Sequence, residues 1–88
     1  MNIRHASALI NRGINARLAV GQFIKAHPME VYRVSELCQS LPLFDYDCIR
    51  EAAKYLFRTK QIAAHRVGYF NYYGTSDAIA ELEGMIDE

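Results

Sequence analysis

Three cations spaced four residues apart are the side chains of this sequence best placed to do chemistry. Arg50, Lys54 and Arg58 fall within positions 46–59, where the pattern of apolar residues predicts an amphipathic helix. Residues four apart share a helix face, so their like charges form a ridge that costs helix stability unless an anion or a carboxylate lies beside it. Glu51 lies three residues before Lys54, so its carboxylate offsets part of the repulsion among these three cations. The ridge is therefore either a solvated charged face or a surface for phosphates.

The rest of the same segment defines which side faces the core. Asp45 precedes it as a helix N-cap. An inward apolar stripe is expected from Ile49, Ala52, Ala53 and Leu56, which recur at i, i+3, i+4 and i+7. Tyr46 and Asp47 join the cations on the outer face.

No residue pattern indicates catalysis. The sequence has no Gly-rich phosphate loop, HExxH, GxSxG or paired-acid motif. Its three histidines are scattered, and its two cysteines, Cys38 and Cys48, do not form a CxxC pair. We therefore expect no enzyme activity, no cofactor and no metal site. Both cysteines are expected to be small buried hydrophobes, with a disulfide or redox pair as the alternative.

The elements before the charged segment are a long helix, a short strand and a short helix. The first helix is predicted over 14–26, with a start as early as Ser7 left open and a break near Gly13, which weakens a helix by roughly 1 kcal/mol relative to alanine. Its apolar surface would combine Ile14, Leu18, Phe23 and Ile24 with the alanines and valine between them. A strand at 31–33 then leads to Ser35, the predicted N-cap of a second helix over 36–40, which Pro42 follows.

A β-hairpin and a last helix follow the charged segment. Strands are predicted at 62–65 and 69–73, joined by a three-residue loop at 66–68 with a bulge and with Gly68 in the left-handed conformation. Alternation places Phe70 and Tyr72 on one face, and Tyr69, Asn71 and Tyr73 on the other. The segment 76–86, capped by Thr75 or Ser76, is predicted to be an amphipathic helix with Ile79, Leu82 and Ile86 inward.

The formal net charge is zero, but the charges are segregated. Positions 1–75 hold ten basic and five acidic residues, a balance of +5, and positions 76–88 hold five acids and no cation. A basic face could meet phosphates while the acidic end points elsewhere, or the end could be an ordinary solvated tail. With 88 residues, 51% of them hydrophobic, one small globular domain is expected, with dimerisation as a further source of stability. No membrane span or signal peptide is recognised, so a cytoplasmic protein is expected.

The order of these motifs resembles the winged helix-turn-helix DNA-binding domain of small bacterial or phage transcription regulators. VSELCQSL resembles the second helix of that family, DYDCIREAAKYLFRTKQI its recognition helix, and YFNYYGTSDAI the second wing strand leading into a C-terminal helix. The resemblance covers roughly positions 15–86. It implies an α+β fold with a three-helix core, a β-hairpin wing and a short C-terminal helix. The chain would then divide into an N-terminal arm (1–13), a winged helix domain (14–75) and an acidic C-terminal helix or tail (76–88).

The resemblance also implies a set of DNA-binding residues. Tyr46, Asp47, Arg50 and Lys54 match positions that face the major groove, Arg33 and Ser35 match positions that meet phosphates, and Arg66, with His65, falls near the wing tip. Arg50 is the side chain we expect on a base edge, because a guanidinium binds guanine O6 and N7 bidentately. Lys54, Arg58 and Lys60 suit backbone neutralisation. Lys60 stands where such helices usually close with glycine.

Two functions remain open from the sequence. The first is a sequence-specific regulator that binds double-stranded DNA, as a homodimer through its N-terminal or C-terminal helix. The second is a winged-helix module that binds another protein and has little DNA affinity. Asp47, Glu51 and the acidic end favour the second function, with Tyr55, Phe57 and Tyr69 as interface anchors. Partial burial of Tyr55 and Phe57 against the hairpin is the alternative for those two. A continuous positive surface through the third helix and the hairpin would favour DNA.

Overall fold

The computed structural model describes the backbone of residues 3–86 and the side chains of residues 10–86. The remaining parts of the predicted arm and acidic tail, including the side chain of Arg4 and the residues Asp87 and Glu88, lie outside this description. Four helices and three strands follow one another in the order α1 (Ile3–Ala26), β1 (Val31–Tyr32), α2 (Val34–Ser40), α3 (Tyr46–Arg58), β2 (Ala63–Val67), β3 (Phe70–Gly74) and α4 (Ser76–Ile86). The expected α+β class is confirmed.

The three strands form one antiparallel sheet in the order β1-β3-β2. Val31 of β1 pairs with Gly74 of β3, and β2 pairs with β3 along its whole length, from Ala63 opposite Gly74 to Val67 opposite Phe70. The strand nearest the N-terminus therefore joins the far edge of the C-terminal hairpin. A Cβ atom on Gly74 would lie 2.9 Å from the Glu30 carbonyl oxygen, so only glycine allows this close approach.

The core lies between α1, α2, α3 and one face of the sheet. Its buried residues include the whole predicted stripe of α3, together with Leu37 of α2 and Tyr73 of β3. Asp45 caps α3 as predicted, because its side chain accepts a hydrogen bond from the Cys48 backbone N–H at 2.8 Å. Cys38 and Cys48 are free thiols that pack against this core, but both are only partly buried, whereas they were expected to be buried.

Helix α1 differs from its prediction in length and in its buried side. It begins at Ile3 and runs through Gly13 without a break. Packing on α3 and the ion pair of Arg12 with Asp45, at 3.5 Å, support this part of the helix against the weak propensity of glycine. The buried residues are Ala16, Val20 and Ile24, whereas Ile14 and Leu18, predicted to face inward, are exposed.

Helix α2 begins two residues earlier than predicted, at Val34 instead of Glu36. Arg33, in an extended conformation, is its N-cap, and Ser35 lies in the first turn, so the prediction of Ser35 as the cap is wrong. The cause is the carboxylate of Glu36, which accepts a hydrogen bond at 2.8 Å from the backbone N–H of Arg33, three residues upstream.

The hairpin turn is tighter than predicted. Val67 belongs to β2 and pairs with Phe70, which leaves a two-residue connection of Gly68 and Tyr69 instead of a bulged loop at 66–68. Gly68 has φ of +63°, as expected, and a glycine at the first connecting position is typical of a type II′ turn. A β-branched valine suits the strand better than the turn, which accounts for the shift.

Each face of the sheet meets a different helix. Asn71 and Tyr73 lie on the side of α3, as alternation predicted for this set. The other side is covered by α4, whose Glu83 lies 3.6 Å from His65 and whose Ala78 approaches Gly74. Thr75 caps α4 by accepting from the Ala78 backbone N–H. In α4, Ala78 and Ile79 are buried, Leu82 is half-buried, and Ile86, predicted to face inward, is exposed near the helix end.

Candidate nucleic-acid interface

A cleft of about 320 Å³ opens where the start of α2, the outer face of α3 and the hairpin meet. It brings together five of the eight predicted site residues: Arg33, Ser35, Tyr46, Arg50 and Lys54. The hairpin supplies the opposite wall with Tyr69, Phe70, Asn71 and Tyr73. Three cations and no carboxylate line this cleft.

Lys54 connects this cleft to a second one along the hairpin. The second cleft, of about 330 Å³, is lined by Lys54, Phe57, Ala64, His65, Arg66, Asn71 and Tyr73. It also contains no carboxylate. Arg33, Arg50, Lys54 and Arg66 therefore follow one another along a surface that we name the basic strip. Arg33 caps α2, Arg50 and Lys54 lie on α3 and Arg66 lies on the hairpin, so the strip depends on the tertiary fold.

Arg33 lies at one end of the strip and is held by its neighbours on both sides. Its guanidinium lies 4.7 Å above the Phe70 ring and 3.8 Å from the Glu36 carboxylate. Cation–π contact with the hairpin and the backbone bond to Glu36 fix the junction between β1 and α2. Ser35 follows it on the surface, so both residues predicted to meet phosphates lie on the rim of the same cleft.

Arg50 lies at the border of the strip. Its terminal nitrogen lies 3.7 Å from Asp47 and 3.6 Å from Glu51, distances longer than direct hydrogen bonds. Its Nε atom is buried and has no hydrogen-bond partner among the described residues. The two carboxylates therefore offset part of the positive charge of Arg50. Its unused N–H donors are available to bind a bidentate acceptor.

Lys54 and Arg66 differ from Arg50 in their surroundings. Neither side chain has a carboxylate within ion-pair distance in the part of the chain whose side chains are described. Arg66 instead donates through Nε to the Gly68 carbonyl oxygen at 3.1 Å, which orients it at the hairpin turn. Both charges are exposed and free to neutralise an anion.

Asp47 and Arg58 are the predicted site residues that the structure does not bring to the cleft. Asp47 lines a different depression of about 270 Å³ on the α1 side of α3, together with Arg12, Arg17, Asp45 and Glu51. We name the three acids of that side, Asp45, Asp47 and Glu51, the acidic flank. Arg58 is exposed in the last turn of α3 and lines none of these clefts.

Burial and nearby charge keep several groups protonated. Burial, with a smaller contribution from Tyr46, raises the pKa of the Tyr73 hydroxyl, so this phenol lines the cleft as a neutral donor. Burial also raises the pKa of the Cys38 and Cys48 thiols, with a smaller contribution from the charge of Asp45 at Cys38 and from the hydrogen bond with Asp45 at Cys48, and this disfavours the reactive thiolate. The site thus offers cations and hydrogen-bond donors.

The hairpin contributes residues that the predicted site did not include. Asn71 lines both clefts, and Tyr69, at the hairpin turn, is 92% exposed. Strand alternation had placed both on the Tyr73 face, but it could not tell that this face meets α3 beside Lys54. An amide and a phenol there add hydrogen-bonding groups next to the cations.

One of the three proposed protein-binding anchors, Tyr55, is explained by packing within the chain. Tyr55 is half-buried, with the Arg17 guanidinium 3.8 Å above its ring, so it meets α1 and not the hairpin. Phe57 remains exposed but borders the second cleft beside Ala64 of the hairpin. Tyr69 is thus the most exposed of the three.

The described residues form neither a metal cluster nor a membrane-spanning helix. Residues 10–86 contain no group of three or more histidine, cysteine, aspartate or glutamate side chains arranged to hold a metal ion. No helix within residues 3–86 combines the length and the apolar character needed to cross a membrane. Comparison with protein families, with curated proteins and with solved structures finds no match to this chain.

Proposed function

We propose that this chain is a winged helix-turn-helix protein that binds double-stranded DNA sequence-specifically and regulates transcription. Helix α3 enters the major groove, and the β2–β3 hairpin is the wing on the DNA backbone. The order of helices and strands supports the fold, because a short strand after α1 pairs with β3 to give the order β1-β3-β2. Helices α2 and α3, separated by a short connection, are the helix-turn-helix.

The observation that carries this proposal is the basic strip. Two adjoining clefts share Lys54 and Asn71, contain four arginine and lysine side chains, and are lined by no carboxylate. A continuous positive surface through α3 and the hairpin is what a duplex phosphate backbone requires. No acid of α4 lines either cleft, although Glu83 lies 3.6 Å from His65, which lines the second one.

The residues take different roles in this proposal. Arg50 reads a base edge, since its unused guanidinium donors suit guanine O6 and N7. Lys54 and Arg66 neutralise phosphates, and Arg33 with Ser35 positions the start of α2 on the backbone. Arg58 continues the charged ridge toward the end of α3, outside the clefts.

The direct test starts by selecting duplexes from a random-sequence pool with the full-length chain. Binding of a selected duplex is then measured by fluorescence anisotropy over a salt series for the wild type, Lys54→Ala and the control Lys25→Ala, an exposed lysine of α1. Lys54→Ala should weaken binding to all sequences alike and reduce the salt slope by about 1. Lys25→Ala should match the wild type. No enrichment of any duplex, or equal slopes for the two variants, would contradict the proposal.

A second candidate, a winged-helix module that binds protein, is favoured by two observations. Asp47 and Glu51 partly compensate Arg50, and Tyr69 at the hairpin tip is almost fully exposed. Aromatic side chains at such positions anchor protein interfaces. This candidate predicts that Tyr69→Ser abolishes capture of a partner while Lys54→Ala has no effect on it.

A further inference from the structure

The first cleft, between α2, α3 and the hairpin, has a hydrogen-bond donor that no other described residue uses. Tyr73 lines this cleft and is only 4% exposed. Its hydroxyl bonds to no other residue within 10–86, yet it is not one of the fully enclosed polar atoms of that range. The small exposed part of Tyr73 therefore opens into the clefts that it lines. Burial raises the pKa of this phenol, so the hydroxyl keeps its proton and donates to an anion.

Three cations surround this donor, and within the described part of the chain no carboxylate lines the cleft. These cations are Arg33, Arg50 and Lys54. Their nearest acids lie outside the cleft: Glu36 is 3.8 Å from Arg33. Asp47 and Glu51 are 3.7 Å and 3.6 Å from Arg50. All three distances are longer than direct hydrogen bonds, so N–H donors stay available to a group that supplies charge and acceptors of its own.

The walls of the cleft are aromatic. Tyr46 of α3 and Phe70 of β3 line it and are 52% and 51% exposed. The Arg33 guanidinium already covers the Phe70 ring at 4.7 Å, so Tyr46 is the ring that a flat group can lie against. The volume of about 320 Å³ is at the small end of the range for small-molecule sites. The cleft thus suits a small anion that carries a planar ring.

We propose that the first cleft binds the terminal phosphate monoester of a nucleotide, with the phosphate between Lys54, Arg50 and the Tyr73 hydroxyl and the base against Tyr46. A monoester carries about 1.5 to 2 negative charges at neutral pH, which matches several cations around one donor. It is joined to a sugar on one side only, so it can enter a recess. A diester inside a duplex is joined to sugars on both sides and lies across the rim. The nucleotide is free in solution or stands at the end of a DNA strand.

Nucleotide binding goes beyond duplex recognition, and the two can fail separately. Binding of a nucleotide is measured without any duplex, and the Tyr73 hydroxyl has no part in the proposed duplex contacts. One consequence does rest on the proposed function. A nucleotide in the cleft occupies Arg50 and Lys54, so it should displace a duplex from the basic strip.

Two neighbouring tyrosines of β3 provide a matched pair of variants. Tyr73→Phe removes a hydroxyl from the cleft, and Tyr72→Phe removes the same atom from a half-buried tyrosine that lines neither cleft of the basic strip. Isothermal titration calorimetry with the full-length chain measures the binding of adenosine 5′-monophosphate, adenosine and inorganic phosphate. A short DNA strand with and without a 5′-phosphate distinguishes a strand end from a free nucleotide. Circular dichroism checks that each variant folds.

We expect the monophosphate, or the phosphorylated strand, to bind at least about tenfold more tightly than its counterpart without the phosphate. Tyr73→Phe should raise the dissociation constant at least about tenfold, because a hydrogen bond to a charged group is lost, and Tyr72→Phe should match the wild type. Tyr46→Ala, at an exposed position, replaces Tyr73→Phe if that variant does not fold, and should weaken binding of the monophosphate but not of inorganic phosphate.

The source of the ligand follows from which probe binds. Binding of the free monophosphate assigns the cleft to nucleotides in solution, and binding of the phosphorylated strand alone assigns it to strand ends. The inference is overturned if neither probe binds at millimolar concentration, or if adenosine binds as tightly as its monophosphate. Equal dissociation constants for Tyr73→Phe and Tyr72→Phe overturn it as well.

Discussion

The two sides of α3 carry opposite charge patterns although their residues alternate in sequence. On the hairpin side, the basic strip contains four cations and its clefts have no carboxylate. On the α1 side, the acidic flank lies with Arg12 and Arg17, so charges of both signs are mixed. Arg50 lies between the two sides, within ion-pair distance of Asp47 and Glu51.

This difference separates the stability of the fold from the proposed binding function. Asp45 caps α3 and pairs with Arg12 of α1, so part of the acidic flank holds the two helices together. A net charge of zero therefore says little about any single surface. Asp47 and Glu51, the acids that seemed to oppose DNA binding, line the depression on the α1 side but stay exposed and lie within ion-pair distance of Arg50.

The largest change in DNA binding should come from removing the side chain of Arg50, which lies between the basic strip and the acidic flank. Arg50→Ala should lower affinity for a selected duplex by about 1–3 kcal/mol, roughly tenfold to a hundredfold, because a bidentate base contact is lost. Anisotropy with the selected duplex and its single-base variants should show lost preference at one position. Arg12→Ala, on the flank side, should leave affinity unchanged. An equal loss for every base variant would assign Arg50 to the backbone instead.

Removing a negative charge from the acidic flank should raise DNA affinity, by less than the loss of Arg50 lowers it. Glu51→Gln removes a carboxylate 3.6 Å from Arg50 and should raise DNA affinity by about 0.2–1 kcal/mol, the range of exposed ion pairs. The control is Asp77→Asn, an exposed acid of α4 on the other face of the sheet. If Glu51→Gln lowers affinity, then Glu51 itself contacts the DNA and the two sides are not separate in function.

The smallest effect concerns stability in acid. The Cys48 backbone N–H, and to a lesser degree Arg12, lowers the pKa of Asp45 below its usual value. The charged form is therefore favoured by folding, so Asp45 stabilises the chain above its unfolded pKa of about 3.9 and loses this contribution as pH falls through the folded pKa. Asp45→Asn keeps the cap acceptor without the charge. Urea unfolding at pH 7 and pH 3 should show a weaker pH dependence in this variant, and an unchanged dependence would mean that Asp45 does not titrate with folding.

The sequence predicted the elements with one dominant periodicity. The stripe of α3 was correct because four apolar residues lie at helical spacing, while the aromatic residues Tyr46 and Phe57, which lie off that stripe, are exposed. The face assignment of the hairpin was correct for Asn71 and Tyr73, whereas Phe70, which alternation placed on the other face, lines the same cleft as they do.

The predictions failed where two local signals competed. Helix α1 has apolar residues on two sides, so spacing could not decide that Ala16 would be buried and Leu18 exposed. Ser35 is a good N-cap by residue type, but the Glu36 carboxylate reaches the Arg33 backbone and moves the helix start. The buried side of α1 depends on contacts with other helices and strands, and the start of α2 depends on the reach of a neighbouring side chain.

The candidate site was predictable as a set of residue types but not as a surface. A helical projection orders Arg50, Lys54, Asp47 and Glu51 around α3, yet it does not say which neighbour packs on which side. Packing on α1 and the hairpin decides that Asp47 faces the flank and that Asn71 joins Lys54. Lys60, which replaces the usual closing glycine, adopts φ of +63° and still closes α3 with bonds from Lys60 and Gln61 to the carbonyl oxygens of Phe57 and Leu56.

The pairing of β1 with β3 has a consequence for the order in which the strip is assembled. Thr75 donates to the Pro28 carbonyl oxygen 47 positions away in sequence, and only two residues of β1 pair with β3 beside it. Closing so long a loop costs more chain entropy than forming α3 or the hairpin, whose contacts are local. The pairing of β1 with β3, which brings Arg33 to the basic strip, should therefore form last during folding and open first in local unfolding. Amide exchange should reveal this order, with β1 protons exchanging before those of α3, so that only the complete fold presents the whole basic strip.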